Sequence, residues 1–176
     1  MDYREIYSEA YQAMSETIID GNCGELCKGH CCRRTMENGE PLGIYFLPFE
    51  YEVVQAGKNL IDPSTLEIHK NDDFELPDGI EQLVYGFCRD ITRCDRELRP
   101  VQCRTYPFEP HLENGKLQLT IEKEQVHQCP LLSQRERWNP AFEKGIFAGW
   151  KILLQIPEVR AVITAESEER RNRDGN

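Results

Sequence analysis

Long apolar runs are missing from this chain. The longest, Ile44 to Phe49, stops far short of the roughly 20 residues that span a bilayer, so no membrane partner is expected. An excess of positive charge is missing too. There are 31 Asp and Glu against 21 Lys and Arg, a net charge of −10. A protein that neutralises phosphates shows the opposite balance, so no nucleic acid is expected as a partner. The basic start and apolar stretch of a secretory signal are not found. The first residues instead carry Asp2, Arg4, Glu5, Glu9, Glu16 and Asp20, and a soluble, cytoplasmic protein is expected. No C-x2-C pair, Ser–His–Asp arrangement, phosphate-binding glycine loop or paired-carboxylate motif occurs. Nothing therefore names a substrate, and whether the chain is an enzyme stays open.

What is present is enough for one modest core. Leu, Ile, Val and Phe supply 42 of 176 residues, which suits a single small α+β domain. Asp2 and Glu5 make a capping-box pattern ahead of a helix over Tyr3–Ile18, whose tyrosine stripe reads as core packing, with Gly21 as its stop. Ile44–Leu47 and Leu83–Phe87 read as strands, and Pro48 opens a helix towards Gly57. Residues 58 to 80, with the acidic patch Asp72, Asp73, Glu75 and Asp78, read as a solvated loop region. Leu117, Leu119 and Ile121 alternate with polar residues, and Asn114-Gly115 pairs that strand with one near Phe108–Leu112. Asn139-Pro140 starts a helix to Ile156 whose apolar face holds Phe142, Ile146, Phe147, Trp150, Leu153 and Leu154, and Pro157 begins a last short one. The domain is expected over residues 1–165. No large apolar residue follows Glu166, so 166–176 is expected to be a frayed polar tail.

The chemistry lies in eight cysteines: Cys23, Cys27, Cys31, Cys32, Cys88, Cys94, Cys103 and Cys129. Cytosolic thiols are kept reduced, so clustered cysteines there point to metal ligation before disulfides. Four thiolates complete a zinc site or hold an iron–sulfur cluster, and eight suffice for one or two adjacent centres. If the backbone at Cys31 and Cys32 is extended, their sulfurs face opposite ways and serve two neighbouring centres or bridge a pair. His30 and His127 lie beside cysteines, yet with eight thiols neither is required as a ligand. Arg99 and Arg104 flank Cys103 and are expected to offset thiolate charge, Arg104 by donating to a sulfur while Tyr106, Pro107 and Phe108 keep water away.

The order Cys23, Cys27, Cys31-Cys32, then Cys88, Cys94, Arg99-Pro100-x-x-Cys103-Arg104-x-Tyr106-Pro107-Phe108 and a late Cys129 resembles the YkgJ-like cysteine-cluster family over residues 23 to about 132. That resemblance implies a zinc- or iron-chelating domain and supplies no reaction. The expected cofactor is Zn(2+), which is redox-inert and adds folding energy to a lean core. The alternative is iron, as a [4Fe-4S] cluster in electron transfer or redox sensing, to which Cys129-Pro130 bears a faint likeness. A thiol oxidoreductase ranks last, because it would want a C-x2-C-like pair.

Overall fold

The computed structural model describes residues 1–32, 39, 43–56, 66–70, 76, 80, 83–89, 99–121 and 129–174, the side chains of His30 and Asp174 excepted. Among the expected features, Cys94, His127 and the acidic patch Asp72, Asp73, Glu75 and Asp78 lie outside the described residues, as does the side chain of His30.

Helix α1 (Tyr3–Ala13) is capped by Asp2, whose carboxylate accepts the N–H groups of Arg4 and Glu5 at 3.0 and 3.3 Å. It does not continue to Ile18. Thr17 Oγ1 donates to the Ile19 carbonyl at 2.6 Å, and the Ile18 carbonyl accepts Asn139 N–H at 2.8 Å. That carbonyl therefore joins the chain to the start of a distant helix instead of continuing its own. That helix, α5 (Pro140–Leu153), begins where Asn139-Pro140 predicts, with Asn139 Oδ1 accepting Ala141 N–H at 2.9 Å.

α1 and α5 lie against each other and supply the centre of the core: Tyr7, Ala10 and Met14 from one, Phe142, Ile146, Trp150 and Leu153 from the other. Two glycines one turn apart allow the approach. A Cβ at Gly145 would collide with the Ala13 carbonyl oxygen, and one at Gly149 would stand 2.5–2.6 Å from Met14 side-chain carbons.

A three-stranded antiparallel sheet has the order β1–β3–β2, from β1 (Ile44–Phe46), β2 (Leu66–His69) and β3 (Val84–Cys88). Ile44 faces Gly86, and Leu66 faces Cys88. β2 falls inside the stretch expected as loop. Its Leu-Glu-Ile-His alternation is a strand signal, but the polar residues around it hid the pattern. Helix α3 (Glu50–Ala56) follows Pro48 as expected, after Phe49 takes a left-handed φ of +67°.

The predicted hairpin forms from β4 (Glu109–Glu113) and β5 (Lys116–Thr120), with Asn114 and Gly115 at φ +50° and +76°. Both turn positions need positive φ, which Asn and Gly tolerate best. Two short helices, α2 (Gly24–Cys27) and α4 (Val101–Thr105), complete the α+β architecture.

The C-terminal stretch differs from expectation: α6 (Pro157–Asp174) is helical well past Glu166. Its first turns bury Val159, Val162 and Ile163. Its later turns dock through polar groups instead. Ser167 Oγ donates to the Ile163 carbonyl and accepts Leu112 N–H, at 2.6 and 2.9 Å. Arg170 Nη2 meets Glu109 at 2.8 Å, and Arg171 Nη1 donates to the Leu112 carbonyl at 2.8 Å. A search for apolar residues could not find a helix held by hydrogen bonds to the edge of β4. Among the described residues, no helix is long and apolar enough to cross a membrane.

Because the obstacle at Gly145 is backbone, Gly145→Ala is expected to destabilise the protein by about 1–3 kcal/mol despite alanine's better helix propensity. Urea unfolding of the variant beside wild type measures this, and an unchanged or raised stability would refute the close α1–α5 approach.

Candidate metal centre

The cysteines come from short, sharply turned elements. Cys23 precedes α2 and Cys27 ends it, and Lys28 and Gly29 then reverse the chain at φ +53° and +67°. Cys31 and Cys32 follow in a 3-10 turn (His30–Cys32). Cys103 sits in α4, Cys129 leads into a 3-10 turn (Pro130–Ser133), and Cys88 ends β3. None of the seven described cysteines is in a disulfide.

The extended backbone considered for Cys31-Cys32 is not found. The 3-10 turn swings both side chains to one side, and their sulfurs stand 3.9 Å apart. That is close to the edge of a tetrahedron of thiolates, about 3.8 Å for bonds of about 2.3 Å, so this adjacent pair fits one ion as well as two.

Sulfurs remote in sequence sit in one another's fields. The Cys31 thiol is pushed far up, first by its hydrogen bond with Cys32, then by burial and by the charges of Cys32, Cys23 and Cys103. Cys129 is pushed up by burial foremost and then by Cys23 and Cys27, while the N–H groups of Leu131 and Leu132 partly offset this. Cys23 and five other thiols thus lie within electrostatic reach of one another, directly or through a shared neighbour. Cys88 is exposed, yet it borders the same cavity as Cys23, Cys31, Cys32 and Cys103. Among the described residues, no three potential ligands already stand together at coordinating distance. The donor chemistry suits a soft or borderline cation, and side-chain rotation in loops 23–32 and 129–133 would have to close the shell.

Arg104 is buried at 7% exposure. Its Nε donates to the Arg99 carbonyl at 2.6 Å and its guanidinium lies over the Tyr11 ring, 4.2 Å from the centroid. The predicted donor role towards sulfur is therefore not where Nε points, although the charge of Arg104 is felt at Cys103. Of the three residues expected as a shield, Tyr106 and Phe108 border the cavity and Pro107 does not line it.

Sequence reading missed Glu50, which is fully buried. Its Oε1 accepts Tyr11 Oη–H and Val101 N–H, both at 2.6 Å, and its Oε2 accepts Leu47 N–H at 2.9 Å. Burial pushes the carboxyl up, against these three donors and Arg104, which pull it down. Val101 opens α4, so Glu50 ties the helix of Cys103 to α1 and to the end of β1. Tyr11, expected as plain core, is part of this junction. The one sequence signal was the acid that directly follows the apolar run Ile44–Phe49, and Glu52 two residues on blurs it.

The cavity measures about 590 Å³. It runs from the cysteines to the meeting of β1, β4 and α6, where the Tyr45 hydroxyl bonds Glu166. Burial pushes Glu166 up to about 7, Glu109 and Glu169 add to the rise, and Tyr45 and Arg170 oppose it.

Glu50→Gln puts an amide N–H₂ against donors, leaving at least one buried group unpaired. It is expected to cost about 2–4 kcal/mol in urea unfolding, and Tyr11→Phe about 1 kcal/mol. Equal, small effects would remove Glu50 from its central place. For Glu166, a folded-state value raised above the unfolded one means stability present at acid pH is lost as pH rises towards about 7. Glu166→Gln, which does not ionise, is expected to gain roughly 2–3 kcal/mol on wild type between about pH 4.5 and pH 8. Melting both proteins across that range measures it, and parallel curves would contradict the burial of this acid.

No protein-family model, no curated protein and no solved structure matches the chain.

Proposed function

We propose that the chain is a cysteine-ligated metal-binding protein, with zinc as its ion and Cys23, Cys27, Cys31, Cys32, Cys103 and Cys129 as the principal ligand-bearing set. One observation carries the reading: thiols from three separate stretches of chain stand in one another's fields, two of them 3.9 Å apart. Gathered thiols keep their protons because neighbouring thiolates repel, and a divalent cation displaces those protons and turns the repulsion into attraction. The resemblance to the YkgJ-like cysteine-cluster family leads to the same reading. Eight thiolates are the count for two tetrahedral centres, and Cys88 and Cys94 belong to the proposal as ligands of a second one. Arg99 and Arg104 would offset the negative charge of a thiolate-ligated ion, and such partners commonly change affinity by about 10- to 100-fold. Reduced thiols in this number suit a cytoplasmic protein.

The test is purification without oxygen, followed by elemental analysis and an absorption spectrum. The expected result is at least about one zinc per chain, with no broad band near 400 nm. Cys31→Ser and Cys32→Ser should lose most of the metal, and Cys88→Ser less, since that thiol is exposed at a strand end. A brown protein containing iron and sulfide would replace zinc by an iron–sulfur centre. Less than about a tenth of an equivalent of any metal would overturn metal binding, since a closed thiolate site holds its ion through purification.

A further inference from the structure

The cavity has a second wall that the cysteines do not explain. Besides them, Tyr45 of β1, Glu109 of β4, Trp150 of α5 and Glu166, Glu169 and Arg170 of α6 line the same space. Its volume of about 590 Å³ falls within the range of small-molecule sites, roughly 300–1,000 Å³.

Two groups on this wall have unspent bonding capacity. Trp150 is 2% exposed, and its Nε1–H has no acceptor among the described residues. Buried donors are nearly always paired, so an orphan bordering a cavity signals a missing acceptor. Glu166 bonds Tyr45, but among the described residues it forms no ion pair. The nearest candidate cation, Arg170, is already engaged by Glu109 Oε2 at 2.8 Å, His111 Nδ1 at 3.2 Å and the Pro110 carbonyl at 3.4 Å. Arg173 stands at the exposed end of α6 and has partners of its own.

On this wall three acids, Glu109, Glu166 and Glu169, face Arg170 and Arg173, while the cavity as a whole carries as many basic as acidic side chains, within a chain of net charge −10. The rings of Tyr45, Tyr106, Phe108 and Trp150 add faces that attract cations. A half-buried carboxyl such as Glu166, pushed up by loss of water, regains its charge when an ammonium group enters beside it.

We infer that this cavity binds a small organic amine, whose ammonium group pairs with Glu166 and which presents an acceptor atom to Trp150 Nε1–H. No cysteine belongs to this pair of anchors, so the inference goes beyond metal binding and does not depend on it. The cysteines at the other end then put whatever they hold within reach of the far end of the bound molecule.

The test is calorimetric titration of the full chain, as purified, with three probes of matched length: pentane-1,5-diamine, pentane-1,5-diol and glutarate. The diamine is expected to bind at least about tenfold more tightly than the diol or glutarate, a difference that calorimetry resolves readily. Glu166→Gln is expected to weaken the diamine by about tenfold or more, while its circular dichroism stays that of wild type. Trp150→Phe, which keeps the ring and removes the donor, tests the second anchor with a fourth probe, 5-aminopentanol, whose hydroxyl accepts where an ammonium group cannot; it is expected to weaken 5-aminopentanol more than the diamine, and equal affinities for wild type and variant would overturn the role of Trp150. Metal content measured on the same samples separates this result from the fate of the cysteine centre. Glutarate or the diol binding as well as the diamine would overturn the inference. So would absence of diamine binding by folded wild type, or an unchanged affinity in Glu166→Gln.

Discussion

One buried carboxylate organises the half of the molecule that carries the cysteines. Glu50 receives hydrogen bonds from α1, from the end of β1 and from the first residue of α4, and Arg104 closes the group from the other side of Tyr11. A carboxylate without water is costly, and only a full set of donors makes it tolerable. Each donor lost leaves the carboxylate less satisfied, and Cys103 sits two residues beyond one of them, Val101. Folding α1, β1 and α4 together thus presets the direction of a thiol that the core itself does not touch.

The cysteine loops obey a different rule. Residues 23–32 contribute little to the apolar core beyond the edge contact of Cys23. Their conformation comes from left-handed turns at Lys28 and Gly29 and from a 3-10 turn. Such a segment has few apolar contacts and opens easily, which suits a ligand shell that must rotate to close. Cys103, on a helix tied into the core, and Cys23, Cys31 and Cys32, on turns with few core contacts, border the same cavity, so a guest meets one fixed element and one that adapts.

How much of this was legible in the sequence depended on the range of the interaction. Local signals did well. Asp2, Asn139-Pro140 and Asn114-Gly115 each act within a few residues, and each element begins or turns where they indicate. Periodic apolar faces placed the α1–α5 core. Long-range polar pairing was not legible. Nothing near Glu50 says that its partners are Tyr11 and Val101, and nothing near Ser167 says that it meets Leu112. The bond from Asn139 N–H to the Ile18 carbonyl is of the same kind. For the site, the cysteines gave the residue list and the sequence order of their segments. The 3-10 turn that draws Cys31 and Cys32 together, and the second wall of the cavity, arise only when distant elements meet.

The later turns of α6 are attached by directional bonds rather than by buried apolar surface. Their release would expose little hydrocarbon and change the heat capacity little. A release of this kind would be nearly blind to urea, whose leverage follows exposed area, and salt would reach it little, since the Arg170 and Glu109 side chains are only 11% and 31% exposed and such pairs are weakly screened. Glu166 and Arg170 belong to this stretch. The wall of the cavity is thus pinned by directional bonds, and the loss of one donor or acceptor reaches it more directly than a change of solvent does.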